Sequence, residues 1–295
     1  MKRNLVVVRA GPSSLHPNWL LPAEERNWDL VVNYFGDDHD QFREPGMTRI
    51  DSKGPKWPAL HELFSGSTLV WENYQYVWLP DDDLLTHGQD INRFFEIVSR
   101  HGLDLSQPSL TWESHVSHLV TVNNPEFQLR FTNFVEIMAP CLSARMLRRC
   151  LPSFKLNRSG WGLDYIWPRW VEQISGRTAV IDEVSVTHTR PVGGPNYASL
   201  KAAGITPFQE MQSALEQHGI ADLKKLSIGG ITREGESLLL HGPKGELLIE
   251  RLCIGWGPFG HRTPGKLIQA LNEHLAAHRS AGLIRRLARA VRNHV

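Results

Sequence analysis

Three consecutive carboxylates, Asp81, Asp82 and Asp83, directly follow an apolar run in the sequence. Adjacent anions at the mouth of a strand repel one another and lose hydration, so they are stable only where they are exposed or neutralised. A divalent cation is the usual neutralising partner, whereas a polar loop that caps the next helix is the alternative. A calcium helix-loop-helix site is excluded, because the positions counted from Asp81 that need Gly and Glu are Thr86 and Asn92.

Two further polar residues stand at the borders of predicted elements. Asp164 follows the glycine-rich segment Gly160-Trp161-Gly162, where a carboxylate commonly caps the helix that comes next. His188 stands near the end of an alternating apolar segment, and a strand-end histidine is more often a hydrogen-bonded structural residue than a metal ligand. Taken alone, neither position decides between a structural role and a chemical one.

The elements that must position these residues alternate along the chain. Continuous apolar runs predict strands at Asn4–Val8 and Leu30–Phe35, and apolar residues at helical spacing predict a helix over Asp90–Arg100. Strands that alternate with helices favour an α/β domain with a mixed sheet flanked by helices. We expect this core to occupy residues 1–197.

Residues 198–295 predict a C-terminal α+β extension to that core. A helix is expected over 205–219, a hairpin from Ser237–His241 and Glu246–Ile254, and two helices after Pro264. The basic face of the last helix predicts either packing on the domain or peripheral contact with anionic lipid at the inner face of a membrane. This face consists of Arg285, Arg286, Arg289 and Arg292.

Composition limits the classes of protein that remain. The chain has 295 residues, of which 41% are hydrophobic, and a formal net charge of +1, so it offers no general field for nucleic acid. The cysteines are odd in number and form no Cys-x-x-Cys pair, which favours reduced thiols and a cytoplasmic location. No apolar run approaches the ~20 residues of a membrane-spanning helix, so no transmembrane segment is expected.

The acidic segment resembles the Asp-x-Asp signature of nucleotide-sugar glycosyltransferases with the GT-A fold. Longer strings over roughly residues 4–197 resemble a family of plants and bacteria, the domain of unknown function 707. These strings are 53–57 (KGPKW), 78–83 (WLPDDD), 134–140 (FVEIMAP), 160–164 (GWGLD) and 187–191 (THTRP). The resemblance implies a GT-A-like, Rossmann-like core.

The resemblance also implies roles for the candidate residues. Asp81, Asp83 and His188 would hold Mn²⁺ or Mg²⁺, whose ligands are typically carboxylate oxygens with imidazole. Asp164 would be the base that takes the acceptor proton, although similar enzymes carry a run of acids there and this chain carries one. The expected donor-binding residues are Arg9, Gly11, Lys53, Lys56, Asp81, Asp82 and Glu136; for the basic residues among them the alternative is a solvated loop charge.

The predicted function is therefore a metal-dependent glycosyltransferase that moves a sugar from a nucleotide-diphosphate donor to a hydroxyl acceptor. Inversion is expected if Asp164 is the base, and a retaining route stays open without a base. A UDP-sugar is the favoured donor and a glycan the favoured acceptor. Two alternatives stay open, a metal-dependent phosphohydrolase and a non-catalytic carbohydrate-binding protein. The phosphohydrolase has less support because the sequence contains no Asp-x-Asp-x-Thr or paired-histidine motif.

Overall fold

The structure, a computed structural model, describes residues 2–44, 47–155, 157–191, 200, 204–260 and 262–278. Its strands are β1 (Asn4–Ala10), β2 (Trp28–Tyr34), β3 (Thr48–Asp51), β4 (Tyr76–Trp78), β5 (Leu84–Leu85), β6 (Leu105–Leu110), β7 (Phe127–Thr132), β8 (Cys141–Ser143), β9 (Thr178–His188), β10 (Ser227–Thr232) and β11 (Ser237–Leu239). Its α-helices are α1 (Lys56–Ser65), α2 (Gly88–His101), α3 (Ala144–Phe154), α4 (Leu163–Gln173), α5 (Pro207–Gln217), α6 (Gly245–Gly260) and α7 (Pro264–His278). The predicted α/β fold class is confirmed.

The described strands form a mixed sheet in the order β11-β10-β7-β9-β6-β8-β4-β1-β2-β3, and β5 pairs with the end of β9. β1 is parallel to β2 and β4, β6 is parallel to β9, and β8 is antiparallel to both β4 and β6. Strands β1, β2, β4, β6 and β9 therefore point the same way. Their carboxyl ends meet at one edge, where open α/β sheets bind ligands.

Strand β1 shows why the sheet lies between two layers of helices. All its residues are buried. Leu5 and Val7 pack with side chains of α1, α3 and α4, whereas Val6 and Val8 pack with side chains of α2. Burial on both faces is typical of a parallel strand that helices cover on either side.

The hairpin expected from Ser237–His241 and Glu246–Ile254 is wrong in its second half, because residues 245–260 form helix α6. The buried positions of this segment recur at helical spacing, a period that a flat strand cannot bury on one side. They are Leu248, Ile249, Leu252, Cys253 and Trp256. The hairpin forms earlier in the chain, where β10 pairs antiparallel with β11.

The C-terminal strands belong to the same sheet as the core strands, since β10 pairs with β7. The proposed division after residue 197 falls outside the described residues, as do Arg285, Arg286, Arg289 and Arg292. Within the described ranges, no helix has the length and apolar character needed to cross a bilayer.

A buried ion pair joins the two parts of the sheet. The guanidinium of Arg130 on β7 donates to both carboxylate oxygens of Asp182 on β9, at 2.7 and 2.8 Å, and both side chains are 0% exposed. The same guanidinium donates to the hydroxyl of Ser227 on β10 and lies over the Trp256 ring of α6, 4.9 Å from its centroid. Breaking one side of such a pair typically costs ~3–5 kcal/mol.

Candidate functional site

Asp81 follows β4 at the carboxyl edge of the sheet and already has a cationic partner. Its carboxylate accepts a 2.5 Å bond from the ammonium of Lys56, the first residue of α1. Lys56 is only 13% exposed and also donates to the carbonyls of Leu79 and Ile137 at 2.9 and 3.1 Å. The surrounding protein raises the pKa of Asp81, and the Lys56 charge lowers it in part.

Asp82 anchors the loops that follow β1 and β9. Its carboxylate accepts a 2.7 Å bond from the amide of Gly11 and a 3.2 Å bond from the guanidinium of Arg190. A side chain at Gly11 would place its Cβ 2.6 Å from the Phe35 ring, so this loop packs closely against that ring. Asp82 therefore holds the rim of the site together.

Asp83 faces His188, as the pairing of β5 with β9 requires. The His188 Nε2 lies 3.3 Å from one carboxylate oxygen, and its Nδ1 lies 3.0 Å from the carbonyl of His115. Burial lowers the pKa of His188, but the hydrogen bonds to Asp83 and His115 outweigh it and raise the pKa to about 9. Asp83 Oδ1 is buried and has no hydrogen-bond partner among the described residues.

Glu136 and Asp164, here called the acid pair, are two carboxyl groups whose charged forms are disfavoured. Burial raises the pKa of each to about 7, and the charge of Glu136 also raises that of Asp164. Glu136 accepts only a long, 3.4 Å bond from the hydroxyl of Thr121, and Asp164 Oδ1 is buried without a partner among the described residues. A carboxyl group that titrates near neutral pH can accept or hold a proton during a reaction.

The backbone that places Asp164 at the start of α4 is fixed by its glycines. Gly160 has φ +85° and lies so close to the Trp57 indole that a Cβ would come within 2.1 Å of Nε1. Gly162, with φ +94°, is the N-cap of α4. The Asn157 side chain accepts the Gly160 amide at 2.6 Å. Asp164 is therefore the second residue of the helix and not its cap. In this first turn of a helix, the helix dipole favours an acidic side chain.

Electrostatics connect the acid pair to the strand-end residues. The charges of His188 and Asp81 both act on the pKa of Glu136, the first lowering it and the second raising it. The structure thus brings Asp83 and His188 into contact, while Glu136 interacts electrostatically with His188 and Asp81, and Asp164 with Glu136.

The remaining predicted donor-binding cations are engaged with the protein. Arg9 is 5% exposed and donates to the Asn33 side chain and the carbonyls of Ser52 and Gly54 at 2.7–2.9 Å. Burial lowers the pKa of Arg9 to about 10. Lys53 is 65% exposed and binds the Asp37 carboxylate at 2.6 Å, together with two backbone carbonyls. In this structure both side chains hold loops, and donor binding by them stays a prediction.

The residues expected to bind a metal fit such a site only in part. Within the described ranges, no three His, Cys, Asp or Glu side chains form a group that could hold a metal ion. The unpartnered Oδ1 of Asp83 and the imidazole of His188 are ligand types that suit Mn²⁺ or Mg²⁺. Magnesium sites commonly use one or two carboxylates and take further oxygens from substrate phosphates. Asp83 Oδ1 is therefore free to bind a metal, whereas His188 could do so only after its Nε2 gives up the bond to Asp83, and Asp81 only after it gives up the bond from Lys56.

Residues 67–133 match a family described as "Protein of unknown function (DUF707)". The expected family is confirmed over this segment. The match runs from the residues before β4 to the residue after β7, so it contains Asp81, Asp82 and Asp83 but neither His188 nor the acid pair.

No curated protein matches the chain. A similar solved structure is the crystal structure of GalNAc-T7 with UDP, GalNAc and Mn²⁺. The two share 8% identity with a TM-score of 0.49, over 72% of this chain and 50% of that chain. The chain thus spans about half the length of that protein.

Two cations of the site were not identified from the sequence. Arg190 binds Asp82, and its place two residues after His188 was a usable signal because alternate residues of an extended segment share a face. Lys225 precedes β10; its ammonium lies 5.6 and 5.3 Å from the ring centroids of Phe134 and Tyr165, and its charge lowers the pKa of Asp164. Nothing local in the sequence marks Lys225, because it comes from the C-terminal part of the chain.

Helix α7 also supports the candidate site indirectly, through the 112–118 loop. The Lys266 ammonium donates to the Val116 carbonyl at 2.5 Å, and Arg262, just before α7, donates to the Trp112 carbonyl at 3.1 Å. These bonds fix the 112–118 loop, whose His115 carbonyl contacts His188. The C-terminal part therefore supports the site through both Lys225 and this loop.

Proposed function

We propose that the protein is a metal-dependent glycosyltransferase, which moves a sugar from a nucleotide-diphosphate donor to a hydroxyl of a carbohydrate acceptor. A UDP-sugar is the favoured donor. The observation that carries the proposal is Asp164, a buried carboxyl with an unpartnered oxygen and a pKa near 7, at the same sheet edge as Asp83 and His188.

Asp164 is the proposed general base. Its free Oδ1 can accept the proton of an acceptor hydroxyl, and a base is most effective when its pKa lies near the working pH. The charge of Glu136 strengthens this base by raising its pKa, and Lys225 limits the increase. Attack by the deprotonated hydroxyl in one displacement inverts the anomeric carbon.

Asp83 and His188 are the proposed protein ligands of Mn²⁺ or Mg²⁺, and His188 would bind through Nε2 after that atom gives up its proton and its bond to Asp83. When bound there, the metal would offset the negative charge that develops on the departing diphosphate. Asp82 supports this arrangement by fixing the loops after β1 and β9 through Gly11 and Arg190. Asp81 is available as a further ligand only if Lys56 gives up its present bond.

A thermal-shift screen of nucleotide sugars, with and without Mn²⁺, tests the donor. We expect one class of donor to raise the melting temperature only with metal, since a ligand at 100 times its Kd stabilises the folded state by ~2.7 kcal/mol. Release of nucleoside diphosphate should then require a carbohydrate acceptor. Release of free phosphate without an acceptor would indicate a phosphohydrolase, and sugar binding without donor turnover a binding protein.

A further inference from the structure

A second cleft lies at the opposite edge of the sheet, where β1 and β2 begin and α2 ends. Its volume is about 730 Å³, which is in the range of small-molecule sites. Four cationic side chains line it, against a single carboxylate, that of Glu96. The cations are Lys2, Arg3, Arg26 and Arg100. Because the chain as a whole carries a net charge of only +1, this local excess is a feature of the cleft and not of the composition.

The cationic head groups have no acidic partner in the described part of the chain, and that of Arg26 stacks on an aromatic ring. Within the described residues, none of the four forms an ion pair or donates a side-chain hydrogen bond, and Glu96 pairs with Arg93, which lies outside the cleft lining. By contrast, Arg93, Arg130 and Arg145 all bind carboxylates. Unpaired like charges around one cleft repel each other and favour an anion between them.

Two neighbouring polar atoms in the cleft wall also lack partners. The Arg26 Nε is buried without an acceptor while its guanidinium lies over the Trp28 ring, 5.1 Å from the centroid. The Asn27 Oδ1 is buried without a donor, although its Nδ2 donates to the Asn92 carbonyl at 2.9 Å. Buried polar atoms without partners are uncommon in native proteins and indicate a missing ligand or water. Arg26 and Asn27, which both line the cleft, therefore keep hydrogen-bonding capacity that the described protein does not use.

We propose that this cleft binds a phosphate monoester of a polyol, with the phosphate on Arg3 and Arg26 and a hydroxyl on Asn27. Phosphate oxygens satisfy guanidinium donors in bidentate geometry, and a neighbouring hydroxyl satisfies the Asn27 oxygen. Arg100 lies in the last turn of α2, where a cation also offsets the helix dipole, so replacing it would affect the helix as well as the cleft. The test therefore uses variants of Arg3 and Arg26. The site is independent of the proposed transferase activity because it lies across the sheet from Asp83 and Asp164.

Calorimetric titration of the full chain with inorganic phosphate and with glycerol 3-phosphate tests the proposal. We expect saturable binding of both, tighter for glycerol 3-phosphate because of its hydroxyls. Arg26→Gln and Arg3→Gln should each weaken binding ~3–10-fold, as expected for loss of a charge-assisted bond at a partly exposed site. Arg169→Gln is the matched control, since Arg169 is an exposed α4 arginine that pairs only with Glu172.

Lack of saturable binding, or equal weakening in Arg169→Gln, would overturn the proposal. Circular dichroism of each variant checks its folding. Arg3 is exposed and its side chain makes no described contact, so Arg3→Gln should fold normally. Vesicles of phosphatidylcholine with and without phosphatidic acid identify the source of the phosphate. Both remaining glycerol oxygens of phosphatidic acid are acylated, so vesicle binding that needs phosphatidic acid without saturable binding of glycerol 3-phosphate would overturn the proposal. Saturable binding of free glycerol 3-phosphate that weakens in Arg26→Gln would support a soluble polyol phosphate as the ligand.

Discussion

The cations near the ends of β1 and β2 and the acid pair lie on the same sheet edge but differ in how the protein satisfies them. Arg9, Lys53 and Lys56 each donate to several carbonyl or carboxylate oxygens of the protein. Glu136 and Asp164 are surrounded by protein, have raised pKa values and lack a full set of donors. The first group holds loops through these bonds, although the buried Nε of Arg9 has no partner among the described residues, and the second keeps carboxylate oxygens that can accept a proton.

This difference separates structural residues from candidate catalytic ones more clearly than residue type does. A charge that the protein neutralises itself needs no ligand, whereas a buried unsatisfied acid costs stability and is retained at sites that use it. The following predictions test whether the two regions separate in this way.

Asp164→Asn should produce the largest effect. The amide keeps the shape of the side chain but cannot accept the proton, so transfer should fall ~10²–10⁴-fold while donor affinity stays unchanged. The transfer rates and donor affinities of the parent protein and of Asp164→Asn provide the measurement. Glu172→Gln, an exposed change on the same helix, is the control and should retain activity. Near-normal transfer by Asp164→Asn would remove Asp164 as the base.

The same variant has a predicted pH signature in stability. The folded pKa of Asp164 is about 7, above the ~3.9 of an unfolded aspartate, so its protonated form stabilises the fold below pH ~4 and this contribution is lost as the pH rises toward 7. An asparagine does not ionise. In urea unfolding, Asp164→Asn should therefore gain stability relative to the parent at pH 8 but not at pH 4, and a gain independent of pH would contradict the burial argument.

Asp83→Ala tests the metal ligands. We expect the metal-dependent part of donor binding to fall by more than the ~10–100-fold typical of residues that only support a ligand. Donor affinity with Mn²⁺ and with a chelator gives the measurement. Asp37→Ala, which removes an exposed carboxylate paired with Lys53, should leave the metal dependence intact. Equal losses in both variants would mean that Asp83 acts only through general charge.

Lys56→Met and Lys53→Met should differ in stability. Lys56 is largely buried and holds Asp81 and two carbonyls, so its loss should lower the free energy of unfolding by ~2 kcal/mol. Lys53 is 65% exposed, so its loss should cost less than ~1 kcal/mol. Urea denaturation of both proteins provides the comparison. A similar small loss for the two would show that Lys56 is free to serve a ligand.

Lys225→Met should have the smallest effect, on the pH dependence of transfer. Because the Lys225 charge lowers the pKa of Asp164, its removal should move the acidic limb of the pH–rate profile to higher pH and reduce transfer ~5-fold or less below pH 7. Lys225→Arg should restore the profile. An unshifted profile in Lys225→Met would limit Lys225 to packing on Phe134 and Tyr165.

Local patterns were sufficient for the parts of the fold that depend on nearby residues. The apolar runs of β1 and β2 and the helical spacing of α2 are complete within each segment, and so is the position of Asp81 at a strand end. The contact of His188 with Asp83 depends on the register of β9 with β5, which no local pattern contains. The family resemblance supplied that contact in advance.

Other features could not be predicted because their cause lies far along the chain. The apolar residues of Glu246–Ile254 fit a strand by composition, but their burial against α7 and the sheet selects a helix. Donor binding by Lys56 stays a prediction, whereas its bonds to the carbonyl of Ile137 and the carboxylate of Asp81 join distant segments and could not be derived from local sequence. The role of Lys225 beside Asp164 likewise depends on a separation of some sixty residues.

The buried pair of Arg130 and Asp182 has a consequence for how the chain is made. Synthesis places β7 and β9 outside the ribosome well before β10, whose Ser227 completes the bonding of Arg130. Until then β7 has an open edge, and the Arg130 guanidinium has its Asp182 partner but not the Ser227 hydroxyl. The native sheet can be completed only after β10 has emerged, so the late, long-range pairing of β10 with β7 should set a slow step in folding. During that step the exposed edge of β7 needs protection from other chains.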